Sequence, residues 1–524
     1  MNSGIPPDLY SSVLQYILRP IDLSRCCLVD SRFRAFTLPL LYGEIRIFAW
    51  MSRSKQRVVQ LLETLASSAK LGKWVFVLEL RIFPHLGGSN TQDLESLIGK
   101  ALLNTLRLHT VIWTRSGSLS DSLLGSLKAL PALRRLEING YSRDFDARLL
   151  LGFQRLDSLA IIMPDRNVGR VLGSWLKLLA PNLKALSLIC KSGSGVINDF
   201  SLNIADTDFP LLEQLHITGC TQLSVELVTK LIRSNRHGLL SLRLEGMSKA
   251  FNLNQMTRHG TEITFSNLRA LTVTFSASAN DQSALAEIPT ELAPIAEIVR
   301  LSPSLTDLSI HPSSTPTSYS SAGPDGTSAP AHARRGTLSL PLSFIEILPA
   351  TLRSLAINRL ALGSTQLINI CARLSKLEQL YFMLDRTALI GCDVQLSRLP
   401  ALRALHLTFP FSLDSADLLG MSNADTTLSG SSASEDSDAD DDSDVDGRHH
   451  GQGSNALSSH YEQVYLGIVR ACRSLQEFGV QNRVWQVERS YLADNTQLDG
   501  WRTEVRLGRR ENPSVAEQFL VVRI

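Results

Sequence analysis

Apolar positions recur along this chain in one short phrase, L-x-x-L-x-L, with Ile, Val or Phe tolerated. Clear copies are Leu133-Leu136-Ile138, Leu156-Leu159-Ile161, Leu183-Leu186-Leu188, Leu212-Leu215-Ile217, Leu239-Leu242-Leu244 and Leu268-Leu271-Val273. Further on come Leu305-Leu308-Ile310, Leu352-Leu355-Ile357, Leu377-Leu380-Phe382 and Leu402-Leu405-Leu407. Weaker copies sit at Val77-Leu80-Ile82 and Leu475-Phe478-Val480, and one more lies within 103–113 in either of two registers. Side chains alternate along a strand, so the second and third apolar residues of each copy point inward and the residues between them outward. Segments between copies, such as 225–235, carry apolar residues at 225, 227, 228, 231 and 232, which is helical spacing. Each unit therefore reads as strand, then helix.

The central residues of the clear copies step by 23, 27, 29, 27, 29, 37, 47, 25 and 25. Most steps fall within the 20–29 residues of a leucine-rich repeat. Two distant copies, "LPALRRLEI" (130–138) and "LPALRALHL" (399–407), nearly repeat each other. One unit cannot bury its own apolar face, but stacked units bury it as a continuous core. The expected fold is α/β, a leucine-rich-repeat solenoid or horseshoe over 72–483, with twelve or thirteen strands. A doubly wound α/β enzyme also alternates strand and helix, but such a fold has no reason to repeat the strand sequence itself. The two long steps mark insertions at 312–336 and 413–457, rich in Ser, Pro, Gly and acids, which read as disordered loops. In the second, Ser432, Ser437 and Ser443 each precede an acid by three residues, the pattern acidophilic kinases use; a plain solvated linker fits equally well. His449-His450 beside them is too short a tract for a metal site.

The two ends depart from the repeat. Residues 5–47 carry three short helical patterns. The first follows Pro6-Pro7, with Leu9, Val13, Leu14, Ile17 and Leu18 close together on one side, and ends at Arg19-Pro20. The second runs through Leu23, Cys27 and Leu28, and the third starts near Ser31 and carries Phe33, Phe36 and Leu40. Such a module is marginal alone and needs the solenoid or a partner to complete its core. A helical connector is expected over 49–71. At the other end, "RVWQVERSY" and "WRTEVRLGRR" alternate around turn formers, which predicts a capping hairpin over 484–524 with Trp485 and Trp501 covering the last repeat.

Composition narrows the function. The 524 residues carry 52 Lys+Arg against 50 Asp+Glu, a formal charge of +2, which gives nucleic acid or an anionic membrane no electrostatic hold. No run approaches the roughly 18 apolar residues of a bilayer span. Seven cysteines occur without CxxC or finger-spaced histidines, so neither zinc nor a disulfide framework is expected. Met1 to Tyr10 carry no leader pattern, so a cytoplasmic or nuclear location is expected. GxSxG, Walker A, GxGxxG and HExxH are all missing, which argues against an enzyme and against a cofactor.

The amino-terminal stretch resembles an F-box. Ile5-Pro6, Asp8, Leu9, Val13-Leu14, Ile17, Asp22-Leu23, Leu28-Val29, Arg32-Phe33-Arg34 and Leu38 to Tyr42 match its pattern. Asp30 departs from it, standing where a small residue is common, and Ile5 replaces the leading Leu. With the repeats, the chain resembles a fungal-type F-box/leucine-rich-repeat protein, with the F-box as a small three-helix module over 1–48. The resemblance implies a substrate-recognition adaptor of a Skp1-cullin-F-box type ubiquitin ligase. The module would dock a Skp1-type linker, and through it a cullin, with Pro6, Leu9, Leu14, Ile17, Leu23, Val29 and Phe33 as the matched positions. The alternative is a scaffold of the same architecture outside degradation.

The strand reading also names the outward side chains that would meet a substrate protein. Arg135 and Glu137, Gln214 and His216, and Arg243 and Glu245 come from successive copies, and Tyr381, Met383 and His406 from later ones. Tyr381 and Met383 are the residue types that anchor interface cores. His216 and His406 occupy equivalent places in different repeats, so they should lie apart.

Overall fold

The computed structural model describes residues 7–17, 20–48, 53–83, 91–191, 193–235, 237–248, 250–258, 265–276, 288–313, 339–385, 388–389, 391–409, 455–481, 483–493 and 501–509. Its strands are β1 (Glu44–Ile47), β2 (Val77–Leu80), β3 (Thr110–Trp113), β4 (Arg135–Asn139), β5 (Ser158–Ile162), β6 (Ala185–Ile189), β7 (Gln214–Thr218) and β8 (Ser241–Glu245). They continue as β9 (Ala270–Ser276), β10 (Asp307–Ser313), β11 (Ser354–Leu362), β12 (Gln379–Leu384), β13 (Ala404–Thr408), β14 (Glu477–Val480), β15 (Arg483–Ala493) and β16 (Trp501–Arg509). All sixteen form one sheet in strict chain order. Pairing is parallel from β1 to β14 and antiparallel in the last two steps.

Sequence periodicity sets the register. Leu136, Leu159, Leu186, Leu215, Leu242 and Leu271 stand side by side, as do Ile138, Ile161, Leu188, Ile217, Leu244 and Val273. These columns are buried in one continuous core, where each Leu contributes about 2 kcal/mol over an exposed one. A backbone ladder locks the rungs. The carbonyl just before each strand accepts two N–H groups from the next: His109 O takes Arg134 N and Arg135 N, both at 2.9 Å, and Arg134 O takes Asp157 N at 2.9 Å and Ser158 N at 3.2 Å.

Helices cover the opposite side of the columns. The helix Arg166–Leu179 is capped by Asp165, whose carboxylate accepts from Asn167 N and Val168 N. Its Val168, Leu172, Trp175, Leu176 and Leu179 all enter the core, the stripe expected of a 3.6-residue period. The segment anticipated as helical at 225–235 is the helix Val225–Ser234, capped by Ser224.

Some boundaries differ from the sequence reading. The sheet begins at β1, within the stretch assigned to the helical module; Tyr42-Ile45-Ile47 is a repeat phrase disguised by Tyr in the first place. The stretch expected as a helical connector carries α4 (Ser54–Ser67), whose Val58, Leu62 and Leu65 belong to the continuous core, so it also serves as the first repeat's helix. The ambiguous copy within 103–113 takes the register Leu108-Val111-Trp113. As to the insertions, Pro312 and Ser313 continue β10, and a helix opens at Asn455. Residues 314–338 and 410–454, with the acidic serines and His449-His450, lie outside the described residues.

The amino-terminal helices are α1 (Pro7–Leu14), α2 (Pro20–Cys26) and α3 (Ser31–Gly43). Asp30 caps α3, its carboxylate accepting from Arg32 N at 2.7 Å and Phe33 N at 2.8 Å. That explains why an acid stands there. No linker follows α3: Gly43 ends it and Glu44 opens β1. At the far end β15 and β16 form a long antiparallel hairpin, with Trp485 and Leu507 packed on the core; the Trp501 side chain lies outside the described residues.

Candidate protein-binding surfaces

Two surfaces stand out. On the helical module, the apolar residues of α1 and the turn after it divide into two neighbouring stripes. Tyr10, Leu14 and Ile17 turn inward, where Tyr10 meets Phe33 edge-on at 4.8 Å and stacks on Phe36 at 5.5 Å. Leu9, Val13 and Tyr16 turn outward. With Ile21, Leu28 and Val29 they are 49–84% exposed, an unusual concentration of large apolar side chains in solvent. Of the seven matched positions, then, Leu9 and Val29 are exposed, Ile17 and Phe33 half-buried, and Leu14 and Leu23 buried as internal packing; Pro6 lies outside the described residues. Tyr16 and Ile21 were not among the sequence candidates, because stripes only one residue apart merge in a helical projection.

The second surface is the open face of the sheet. Across β1–β4 it carries a ladder of opposite charges. Arg46 lies 2.8 Å from Glu44 and 3.7 Å from Glu79; Arg81 lies 2.5 Å from Glu79 and 3.5 Å from Glu137. The Glu79 side chain is only 7% exposed and pairs with both arginines. Glu79→Ala should lower unfolding stability by roughly 3 kcal/mol, at the low end for breaking a buried pair because Arg46 and Arg81 keep other acids. Urea titration reads this; a loss below about 1 kcal/mol would mean the ladder is a solvated surface network.

Beyond the ladder, Arg135 and Gln214 are exposed and help line a polar groove of about 530 Å³ where the strands begin, beside Arg134, Asp157, Lys184 and Glu213. His216 Nε2 lies 2.9 Å from Ser241 Oγ. Arg243 and Glu245 pair at 3.9 Å, and Glu245 also reaches Thr218 Oγ1 at 3.3 Å and His311 Nε2 at 3.7 Å. The Asn358 amide N–H donates to His311 Nδ1 at 2.6 Å. That leaves the ring proton on Nε2, facing Ser309 Oγ at 2.8 Å. The cluster of Ser309, His311, Asn358 and Arg359 was missed in sequence. The 305–310 copy marked its strand, but nothing in the pattern announced the irregularity in β11: Ile357 pairs with Phe382 and Ala361 with Met383, so Asn358, Arg359 and Leu360 loop out.

Tyr381, Met383 and His406 follow a different course. They point to the predicted face, yet are only 5%, 7% and 9% exposed. Tyr381 packs with Ala356 and Ala404, and the His406 ring lies against Gly479, with Nε2 2.8 Å from Gln481 O. They are built into the sheet and are not open anchors. His216 and His406, on β7 and β13, are not brought together.

Burial, then the charges of Arg243 and Arg359, hold His311 down to about 4. An unfolded imidazole near 6.5 takes up a proton that the folded one refuses, so this depressed value destabilises the fold as pH drops from 7 towards 4. We expect about 2 kcal/mol less stability at pH 4.5 than at pH 7 from this group. The difference between wild type and His311→Gln in urea titrations at both pH values isolates it; equal pH slopes would contradict it.

Among the described residues no helix is long and apolar enough to cross a membrane, and no three His, Cys, Asp or Glu side chains cluster as metal ligands would. No family model and no curated protein matches the chain. Solved structures give likenesses. The yeast Rad7–Elc1 complex includes a chain 13% identical, with a TM-score of 0.34, covering 77% of this chain and 81% of that one. The leucine-rich repeat-containing protein LegL7 of Legionella pneumophila is 12% identical, with a TM-score of 0.27 over 70% and 90%. A chain of the TLR13–ssRNA13 complex is 15% identical, with a TM-score of 0.29 over 65% of this chain and 41% of that one. All three scores lie below 0.5, so the fold rests on its own strand order, register and core. Those define an α/β solenoid of the leucine-rich-repeat type.

Proposed function

We propose that the chain is a substrate-recognition adaptor of a Skp1-cullin-F-box type ubiquitin ligase. The helical module docks a Skp1-type linker, and through it a cullin, while the open sheet face receives a substrate protein. The observation that carries this reading is the outward stripe on α1 continued by Ile21, Leu28 and Val29. It sits on a module whose inner stripe already closes its own core. Leaving six large apolar side chains in water is what an interface core looks like before its partner arrives. The F-box resemblance, which takes in Leu9, Val13, Leu28 and Val29 of these six, names the partner.

The chain itself performs no chemistry in this reading and lives in the cytoplasm or nucleus. Ser309, His311 and Asn358 have the spacing of a nucleophilic relay, but with the proton on Nε2 His311 donates towards Ser309 and takes nothing from it. Its depressed basicity points the same way.

Purified full-length chain and purified Skp1-type linker, combined and separated by size, test the proposal. Co-elution that disappears in a Leu28→Asp, Val29→Asp variant of unchanged melting temperature supports it. Failure of the wild type to co-elute, or equal co-elution of the variant, sinks it. Point variants are preferable to deleting residues 1–48, because that deletion also removes β1. If docking holds, a substrate that accumulates in cells carrying the variant separates degradation from scaffolding.

A further inference from the structure

We propose that Cys190 and Cys220 form a modification site, where hydrogen peroxide joins two consecutive repeats through a disulfide. Neither a linker protein nor a substrate takes part.

The repeat brings these residues together. β6 and β7 pair with Ile189 opposite Thr218, so both chains leave their strands at the same rim. Cys190 N donates to Thr218 O at 2.8 Å, which fixes the first cysteine in the step after the rung. Gly219 then takes φ = 70°, a left-handed turn that glycine adopts without strain, and Cys220 follows it. Both cysteines are free thiols, buried at 1% and 0% exposure. The Cys220 thiol donates to Cys190 Sγ at 3.3 Å; Thr218 O and Leu188 O, at 3.6 and 3.8 Å, are more distant acceptors. Neighbouring rungs stand about 4.8 Å apart, inside the roughly 4.4–6.8 Å between Cα atoms that a disulfide spans. The sulfurs need to close by only about 1.3 Å to reach bonding distance, which small rotations about the two Cα–Cβ bonds supply.

The two thiols act in order. The hydrogen bond from Cys220 lowers the pKa of the Cys190 thiol, against its burial; the same bond, and then burial, raise that of Cys220. Cys190 therefore ionises first, and the thiolate is the form that attacks peroxide. Its sulfur displaces hydroxide from the O–O bond and becomes a sulfenic acid. The Cys220 sulfur then attacks the sulfenic sulfur, and its proton leaves with the displaced hydroxyl as water. Two thiols and one peroxide give one disulfide and two waters. Access comes from the loop beside them. Lys191, Gly193 and Gly195 are exposed, and a Cβ at Gly193 would meet nothing within 4 Å, so little packing holds the stretch after Cys190 in place.

Reduced full-length protein, freed of reductant, is treated with hydrogen peroxide under native conditions. Remaining thiols are alkylated in denaturant, and the chain is digested without reduction for mass spectrometry. We expect a peptide pair bridged between Cys190 and Cys220 in most molecules, lighter by two hydrogens than the separate peptides and lost on adding dithiothreitol. Amide exchange across 185–223 should slow about fivefold in the oxidised protein, because stapled neighbours cannot part and contacts in a solenoid run only between neighbours. In Cys220→Ala, dimedone should label Cys190, the sulfenic acid left without its resolving thiol; in Cys190→Ala, Cys220 should stay unlabelled. Cys371→Ala, which removes a buried thiol elsewhere in the core, should still give the bridge. The mapping on wild type needs no variant to fold. No bridged pair from native protein, a bridge formed only after unfolding in urea, or dimedone on Cys220 in place of Cys190 overturns the proposal.

Discussion

Gly173→Ala should destabilise the protein by about 3 kcal/mol, although alanine is the better helix former. Gly173 lies buried in the helix Arg166–Leu179. A Cβ there would run into Leu202 O and sit 2.8 Å from Leu202 C. Both are backbone atoms and cannot swing aside. Leu202 ends the short helix Asp199–Leu202, fixed by the Asn198–Ser201 capping box, so relief requires parting two repeats. Helix propensity would return about 1 kcal/mol, less than the strain of overpacking a closed contact. Contacts in a solenoid run only between neighbours, so separating two units loosens the stack on either side. Urea unfolding of the two proteins measures the difference. A variant as stable as wild type would show that the two helices have room the Cβ distance denies.

The second large effect concerns association. Replacing Leu28 and Val29 together by Asp should weaken Skp1-type linker binding by roughly a hundredfold, about 3 kcal/mol, from two lost apolar anchors and two charges facing an apolar surface. Leu28 is 84% and Val29 62% exposed, so the melting temperature should stay within about 1 °C of wild type, as for surface changes generally. Leu14→Asp makes the contrast. Leu14 is 1% exposed, in the same module as the Tyr10–Phe33–Phe36 cluster, and a carboxylate there should unfold the module and abolish binding together. Isothermal titration with parallel melting curves distinguishes the two. Equal loss of stability in both variants would mean that Leu28 and Val29 also belong to the module's interior.

The solenoid was legible because its signal is redundant: one phrase, repeated, gives strand, register and inward face together. Leu136, Leu215 and Leu380 stand where their spacing puts them. Legibility failed where the phrase was altered or the decisive fact was not periodic. Tyr42 hid the first strand. The outward direction of Tyr381 and His406 follows from alternation, but their burial depends on close neighbours such as Gly479, which local patterning does not encode. Arg243 and Glu245 were legible as outward residues. Their neighbours His311 and Arg359 were not, since their meeting depends on a bulge and on strands that are distant in the chain. On the helical module the resemblance named Leu14 beside Leu9, and only packing shows that one faces in and the other out.

The join between α3 and β1 has a mechanical consequence. Gly43 O accepts Phe76 N at 3.0 Å, which ties the joint into the sheet, and the chain enters its first rung in the next residue. There is no hinge. If the head is clamped by one protein and the palm by another, the gap between those two guests is set by the scaffold and not by diffusion of a tether. A ubiquitin donor arriving from the head side would sweep a narrow shell, and only lysines that the guest presents within it could be reached. Four glycines inserted between Gly43 and Glu44 should leave both grips intact while blurring that shell, spreading modification across more of the guest's lysines.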